Sequence, residues 1–304
     1  MERLNISGII PPLVTPVTEG LELDKEALGT LIEHVIEGGV NGIFLLGTTG
    51  ECASLNDEIR QEAISLAVSA VKGRIPVFIN ISTPSYLESL ALAGYASAAG
   101  ADYTVMAPPY YFDMNQEELM RYFELIADRS KVPLLLYNAP QYTKTAIEPE
   151  TVRKLALHEN IVGIKDSSGN MDYVHQLLKD RTDENFSIFI GPELLLGECV
   201  QLGCSGGVNG GANIFPKLFV NMYLASSRNK LDEMKKWQSL IAKVQEHVYD
   251  AADSPMGIVI GLKYALSAKG ISTDQMLMPV YNKLSDEKKE KINDLIREME
   301  AYDL

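Results

Sequence analysis

Eight short apolar runs recur along the chain at intervals that leave room for one helix between neighbours. They begin near residues 8, 42, 76, 102, 133, 161, 187 and 205, and read GIIPPLV, GIFLLG, PVFINI, DYTVMA, PLLLY, IVGIK, SIFIG and SGGVN. Runs without polar alternation indicate strands buried on both faces, as in parallel sheets. Start-to-start spacings of 34, 34, 26, 31, 28, 26 and 18 residues match a strand–helix–strand unit of about 30 residues until the last interval. Helical periodicity fills the gaps. Leu28, Leu31, Ile32, Val35 and Ile36 share one stripe, with Asp24 as N-cap and Gly38–Gly39 as stop; Ile59, Ala63, Leu66, Ala67 and Ala70 share another behind Asn56 or Asp57.

Eight such units predict an α/β fold, a closed (β/α)8 TIM barrel. The rival is an open doubly wound sheet, but no GxGxxG follows the first run. Beyond residue 214 the pattern is helical throughout, over roughly 215–226, 230–249, 254–268 and 286–301. A barrel over 1–225 and a C-terminal helical appendage packed on it over 226–304 are therefore expected. Met and aromatic positions in the appendage, Trp237 included, read as packing.

Composition narrows the partners. With 27 basic against 41 acidic residues the net charge is −14, which disfavours phosphate backbones and anionic lipid surfaces. A few local donors can still hold an anionic substrate. A small-molecule substrate is expected, with no nucleic acid and no membrane. No apolar run approaches the roughly 20 residues of a membrane helix, and MERLNISGIIPPLV lacks the charge and apolar pattern of a secretory leader. Cys52, Cys199 and Cys204 are sparse and read as packing, so a reduced, cytoplasmic setting is expected. His34, His158, His175 and His247 show no ligand spacing, and the first three are expected on helices away from strand ends. No metal is predicted.

In a barrel of this kind catalytic groups come from the carboxyl ends of the strands. That rule selects Lys165, which closes IVGIK where most other lysines lie in polar contexts. Burial lowers a lysine's pKa, and a neutral amine can attack a carbonyl to form a Schiff base. Such a lysine can instead turn outward to a carboxylate such as Asp166. Tyr137 ends LLLY one repeat earlier, so its phenol could pass protons beside Lys165, or could simply pack at the rim. Gly47–Thr48–Thr49–Gly50–Glu51 follows the second run; its hydroxyls and N–H groups could cradle a carboxylate, though Gly/Thr turns without ligands are common. Gly203–Gly211, rich in glycine at the eighth strand, fits either barrel closure around a crowded mouth or the phosphate site of a phosphosugar barrel.

Taken together, GTTGE, the PPYY of residues 108–111, the YNAP of residues 137–140 and the GIKDSSG of residues 163–169 resemble, in order and spacing, the dihydrodipicolinate synthase and N-acetylneuraminate lyase superfamily of class I pyruvate-dependent aldolases. The resemblance covers nearly the whole chain. It implies that Lys165 forms the Schiff base with C2 of pyruvate or a larger 2-oxo acid, with Tyr137 as proton relay. It implies that Thr48 links Tyr137 to Tyr111, a residue that reaches in from a neighbouring subunit. Thr48 and Thr49 would bind the pyruvyl carboxylate, and Val208 would offer a backbone carbonyl. It further implies a homotetramer built as a dimer of dimers and no metal or organic cofactor.

The sequence departs from the synthase branch. The arginine that holds aspartate semialdehyde after YNxP is replaced, by position, with Tyr142, and Lys144 follows two residues later. A tyrosine cannot grip a carboxylate as a bidentate cation does. Ser167 and Ser168 suit a polyhydroxylated arm. The expected activity is reversible cleavage of a 2-oxo-3-deoxy sugar acid, or a related 4-hydroxy-2-oxo acid, to pyruvate and an aldehyde. The alternatives are 4-hydroxy-tetrahydrodipicolinate (dihydrodipicolinate) synthase, N-acetylneuraminate lyase, a dehydratase, and a non-catalytic sensor of 2-oxo acids.

Overall fold

The structure, a computed structural model, describes residues 6–278 and 284–304. The first five residues of MERLNISGIIPPLV and residues 279–283 of the appendage lie outside the described residues. Eight parallel strands pair in the order β1-β8-β7-β6-β5-β4-β3-β2: β1 (Gly8–Ile9), β2 (Ile43–Leu45), β3 (Val77–Asn80), β4 (Tyr103–Met106), β5 (Leu134–Asn138), β6 (Ile161–Asp166), β7 (Ser187–Ile190) and β8 (Gly206–Gly207). The open edge between β1 and β2 is bridged at Pro12 and Phe44. There Leu13 N–H donates to Phe44 O at 2.8 Å and Phe44 N–H donates to Pro11 O at 3.0 Å. The chain is a (β/α)8 barrel, and all eight expected runs became its strands.

Every strand residue is buried, and alternation decides which side each one faces. Ile10, Phe44, Phe78, Val105, Leu135, Val162, Phe189 and Val208 fill the barrel, with Tyr103 stacked on Phe78 at 4.6 Å between ring centroids. Ile43, Leu45, Ile79, Leu134, Leu136, Ile164, Ile188 and Ile190 face the helices. These outer helices are α1 (Lys25–Glu37), α2 (Asp57–Val71), α3 (Tyr86–Ala99), α4 (Gln116–Ala127), the single turn α5 (Pro140–Thr143), α6 (Pro149–Leu155), α7 (Met171–Asp180), α8 (Leu196–Leu202) and α9 (Pro216–Ser227). Asp24 caps α1 by accepting from Ala27 N–H, and Asn56 caps α2 by accepting from Ile59 N–H. The buried stripe of α2 runs through Ile59, Ala63, Ile64, Ala67 and Val71. It is thus rotated from the expected one, leaving Leu66 and Ala70 partly buried. His158 sits in the turn after α6 rather than on a helix, because α6 is only seven residues long.

Closure explains the glycines of the eighth strand. Gly206 lies against Gly8, and a Cβ on Gly206 would stand 1.9 Å from the Gly8 carbonyl oxygen. Backbone meets backbone here, and any side chain would force β1 and β8 apart. Beyond α9 the chain forms α10 (Leu231–His247), α11 (Gly257–Ala268) and α12 (Asp286–Glu300). Helix α10 packs on α9 and α12, and α11 packs on α12. Trp237 lies partly buried against the core, with Lys236 over its ring at 4.2 Å.

Candidate active site

Strand β6 sets the position of the central lysine. Its pairing with β5 steps from Leu134–Ile161 to Leu135–Gly163, so Val162 is the extra residue of a bulge. Past the bulge, Tyr137 and Lys165 stand directly opposite each other, as do Asn138 and Asp166. The first pair points into the barrel and the second toward the helices. Asp166 accepts from Asn138 Nδ2 at 2.8 Å and from Ser168 Oγ at 2.9 Å. Lys165 therefore does not turn out to that carboxylate; it is 5% exposed and lies inside.

Burial is what changes its chemistry. Loss of water pushes the Lys165 ammonium down to about 7, against a smaller opposing influence from Cys52. The Nζ lies 4.1 Å from the centroid of the Tyr137 ring and 5.1 Å from that of Phe44. Aromatic faces favour the cation by about 1 kcal/mol, and desolvation outweighs that here. Near neutral pH a large share of Lys165 is thus a free amine. Tyr137 is displaced the other way: burial raises its pKa, and hydrogen bonds from Thr48 and Ser167 only moderate the rise. Its hydroxyl lies 3.3 Å from Thr48 Oγ1.

Lys165, Tyr137, Thr48, Thr49 and Val208 converge on a cavity of about 260 Å3 at the carboxyl ends of the strands. Tyr111 does not join them. It is 73% exposed, resting edge-on against Phe112 at 4.9 Å. A second cavity of about 210 Å3 shares Thr48, Tyr137, Tyr142 and Met256 with the first and is lined by Cys52, Asn80, Ser82 and Tyr110 among others.

The structure adds residues that sequence reasoning missed. Glu193 lines the first cavity at 3% exposure. Gly211 N–H (2.7 Å) and the Tyr249 hydroxyl both donate to its Oε1, while Oε2 has no hydrogen-bond partner among the described residues. Burial pushes this carboxyl up to about 7, and burial next to Glu193 raises Tyr249 well above the ordinary phenol. A signal existed: Glu193 follows strand run SIFIG by two residues, where the strand-end rule looks for function. Gln141, Tyr142, Ser167, Gln245 and Tyr249 complete the polar wall. Among the described residues lining this cavity Lys165 is the one cation, and Lys144 is exposed and outside it.

Comparison with known proteins decides the family. The model of the dihydrodipicolinate synthetase family matches residues 5–299. The chain belongs to the dihydrodipicolinate synthetase family. Within that family it is 33% identical, over 95% of its length and 96% of the relative's, to a probable 2-dehydro-3-deoxy-D-pentonate aldolase of Escherichia coli. It is 36% identical to a 4-hydroxy-tetrahydrodipicolinate synthase of Methanopyrus kandleri, over 72% of this chain and 74% of that one. Among solved structures it resembles a dihydrodipicolinate synthase of Bacteroides thetaiotaomicron (TM-score 0.92, 40% identity, 96% and 98% of the two chains). It also resembles YagE of Escherichia coli, solved in complex with pyruvate (TM-score 0.91, 29% identity, 98% and 99%). As a dihydrodipicolinate synthetase family protein the chain is an enzyme, a lyase. None of its described helices is long and apolar enough to cross a membrane.

Proposed function

We propose that the chain is a Schiff-base aldolase that cleaves a 2-oxo-3-deoxy sugar acid, or a related 4-hydroxy-2-oxo acid, to pyruvate and an uncharged hydroxyaldehyde. In this reading the neutral Lys165 amine adds to C2, and loss of water gives an iminium. Tyr137 takes the proton of the C4 hydroxyl as the C3–C4 bond breaks, and the electron pair of that bond moves toward C2 to leave an enamine. Protonation at C3 and hydrolysis then release pyruvate and restore the amine. The iminium is the electron sink, so the chemistry calls for no metal or organic cofactor. In the same reading Thr48 and Thr49 hold the pyruvyl carboxylate, and Val208 offers its backbone carbonyl to the reacting end.

One observation carries the choice of substrate. Beyond Lys165 the polar groups of the cavity wall are hydroxyls, amides and one buried carboxyl, set beside apolar Pro12, Met256, Ile258 and Val259, and the described lining holds no arginine. That wall suits a neutral polyol arm and leaves a second carboxylate without a counter-ion. The synthase reading, condensation of pyruvate with aspartate semialdehyde, is favoured by the 40% identity to a synthase structure. It would need Tyr142 to do an arginine's work. We also assign Tyr111 to a neighbouring subunit's site in a homotetramer: it is exposed on its own chain, and the cavity beside Thr48 and Tyr137 offers a place for it. The helices beyond residue 225 are read as an appendage of the barrel, and the setting as cytoplasmic, in keeping with the three free thiols.

Borohydride reduction in the presence of pyruvate, followed by peptide mapping, tests the chemistry. An adduct on the Lys165 peptide is expected, and its absence from folded protein would overturn the reading. Pyruvate release from 2-oxo-3-deoxy acids is then compared with condensation on aspartate semialdehyde; activity in the second assay alone would replace the aldolase with the synthase.

A further inference from the structure

The turn that carries Thr48 and Thr49 is held from an unexpected direction. It is bounded by two residues in the left-handed region, Leu46 (φ 59°) and Glu51 (φ 58°), each disfavoured by roughly 1–2 kcal/mol for a residue with a Cβ. Such a turn keeps its shape only if its surroundings impose it. From the barrel side, Asn80 Nδ2 donates to Leu46 O at 2.7 Å and Thr15 Oγ1 donates to Gly50 O at 2.8 Å. From the C-terminal side the hold is ionic. Lys263, the one charged residue of α11, pairs with Glu51 Oε1, and both side chains are fully buried. The same ammonium donates to Gln275 O at 2.7 Å. Leu277 N–H donates to Glu51 Oε2 at 2.9 Å. Both oxygens of Glu51 are thus engaged by residues 263–277, more than 200 positions along the chain from the turn they stabilise.

We infer that Glu51 and Lys263 form a positioning pair through which the C-terminal appendage sets the Thr48–Thr49 turn to receive the carboxylate of a 2-oxo acid. A buried ion pair adds little stability over well-packed apolar residues of the same volume. What apolar residues cannot supply is a directional hold on Glu51, the residue that closes the turn, and on the backbone at Gln275 and Leu277. The pair does not touch the reacting atoms; it acts through the backbone that presents two hydroxyls and their N–H groups. Small displacements of such groups are costly to binding and rate. The inference rests on the assignment of that turn as the carboxylate cradle, and the experiment separates the two.

Lys263→Met and Glu51→Gln are made in the full chain, and the half-saturating pyruvate concentration for borohydride capture is measured beside the melting temperature. The pair as positioning device raises half-saturation on the order of tenfold in each variant, while capture at saturating pyruvate stays within about twofold and its pH midpoint does not shift. A lowered melting temperature with unchanged half-saturation in the folded enzyme would make the pair merely structural and overturn the inference. Should Lys263→Met fail to fold, Glu51→Gln decides the question alone, since its amide oxygen still accepts from Leu277. No capture in the wild-type chain would instead sink the Schiff-base assignment itself.

Discussion

At the scale of single residues, two lone charges in apolar runs, Lys165 and Lys263, are buried, and their environments set their chemistry. Lys165 is held near 7 by burial. The neutral amine therefore accumulates as pH rises through that value, and kcat/KM for a 2-oxo acid should climb with unit slope below about pH 7 and level off above it. A flat profile from pH 5.5 to 8 would mean that Lys165 attack does not limit the free enzyme. The sign for stability follows from proton counts. Between about 7 and the ordinary lysine value near 10.5 the unfolded chain binds more protons than the folded one, so this group makes stability increase with pH across that window. Glu193 gives a second prediction. Glu193→Gln should leave pyruvate capture within about twofold yet lower kcat/KM for sugar-acid cleavage about tenfold or more, the value of a hydrogen bond to a substrate hydroxyl. Equal losses in both assays would place Glu193 at the pyruvyl end instead. Lys165 and Tyr137 were legible in the sequence because each is a polar side chain closing an apolar run. Glu193 was harder to see, because a glutamate after Gly–Pro ordinarily starts a helix at the surface. Lys263 was equally obscured: GIVIGLKYALSA marks it as anomalous, but nothing local says which carboxylate it meets.

At the scale of elements, the period of apolar runs was enough to place every strand, because parallel barrel strands are buried on both faces and show no competing alternation. The short final interval of 18 residues corresponds to α8, a helix of seven residues. What the pattern did not contain is the bulge at Val162, which depends on pairing between strands rather than on either strand alone. The bulge puts Gly163 where a Cβ would stand 2.4 Å from Ser187 O and 2.9 Å from Leu135 Cδ1. Gly163→Ala should therefore destabilise the protein by about 1–3 kcal/mol through overpacking, and should weaken Schiff-base capture because Lys165 is two residues away on the same strand. Chemical denaturation together with borohydride capture reads both effects. A variant as stable and as reactive as the parent would show that β6 accommodates the methyl group without moving its lysine.

At the scale of the whole molecule, the assignment of Tyr111 to a neighbouring subunit's site requires that the chain assemble. If Tyr111 serves a neighbour, Tyr111→Phe and Lys165→Ala chains should each be nearly inactive alone. Co-folded in equal amounts they should recover about a quarter of wild-type activity, because half of the dimers are mixed and each mixed dimer has one intact site. Recovery no greater than the sum of the separate variants would keep Tyr111 out of the shared site. The expectation of assembly did not come from composition; it came from motif resemblance, and Tyr111 and Phe112 are exposed on the single chain. The meeting of Gly8 with Gly206 also bears on how the protein is made. A nascent chain offers its first strand to solvent for nearly 200 residues of synthesis, about 10–40 s on the ribosome, before the partner strand exists. Closure of the barrel therefore cannot precede synthesis of Gly206, whatever part of the sheet forms earlier.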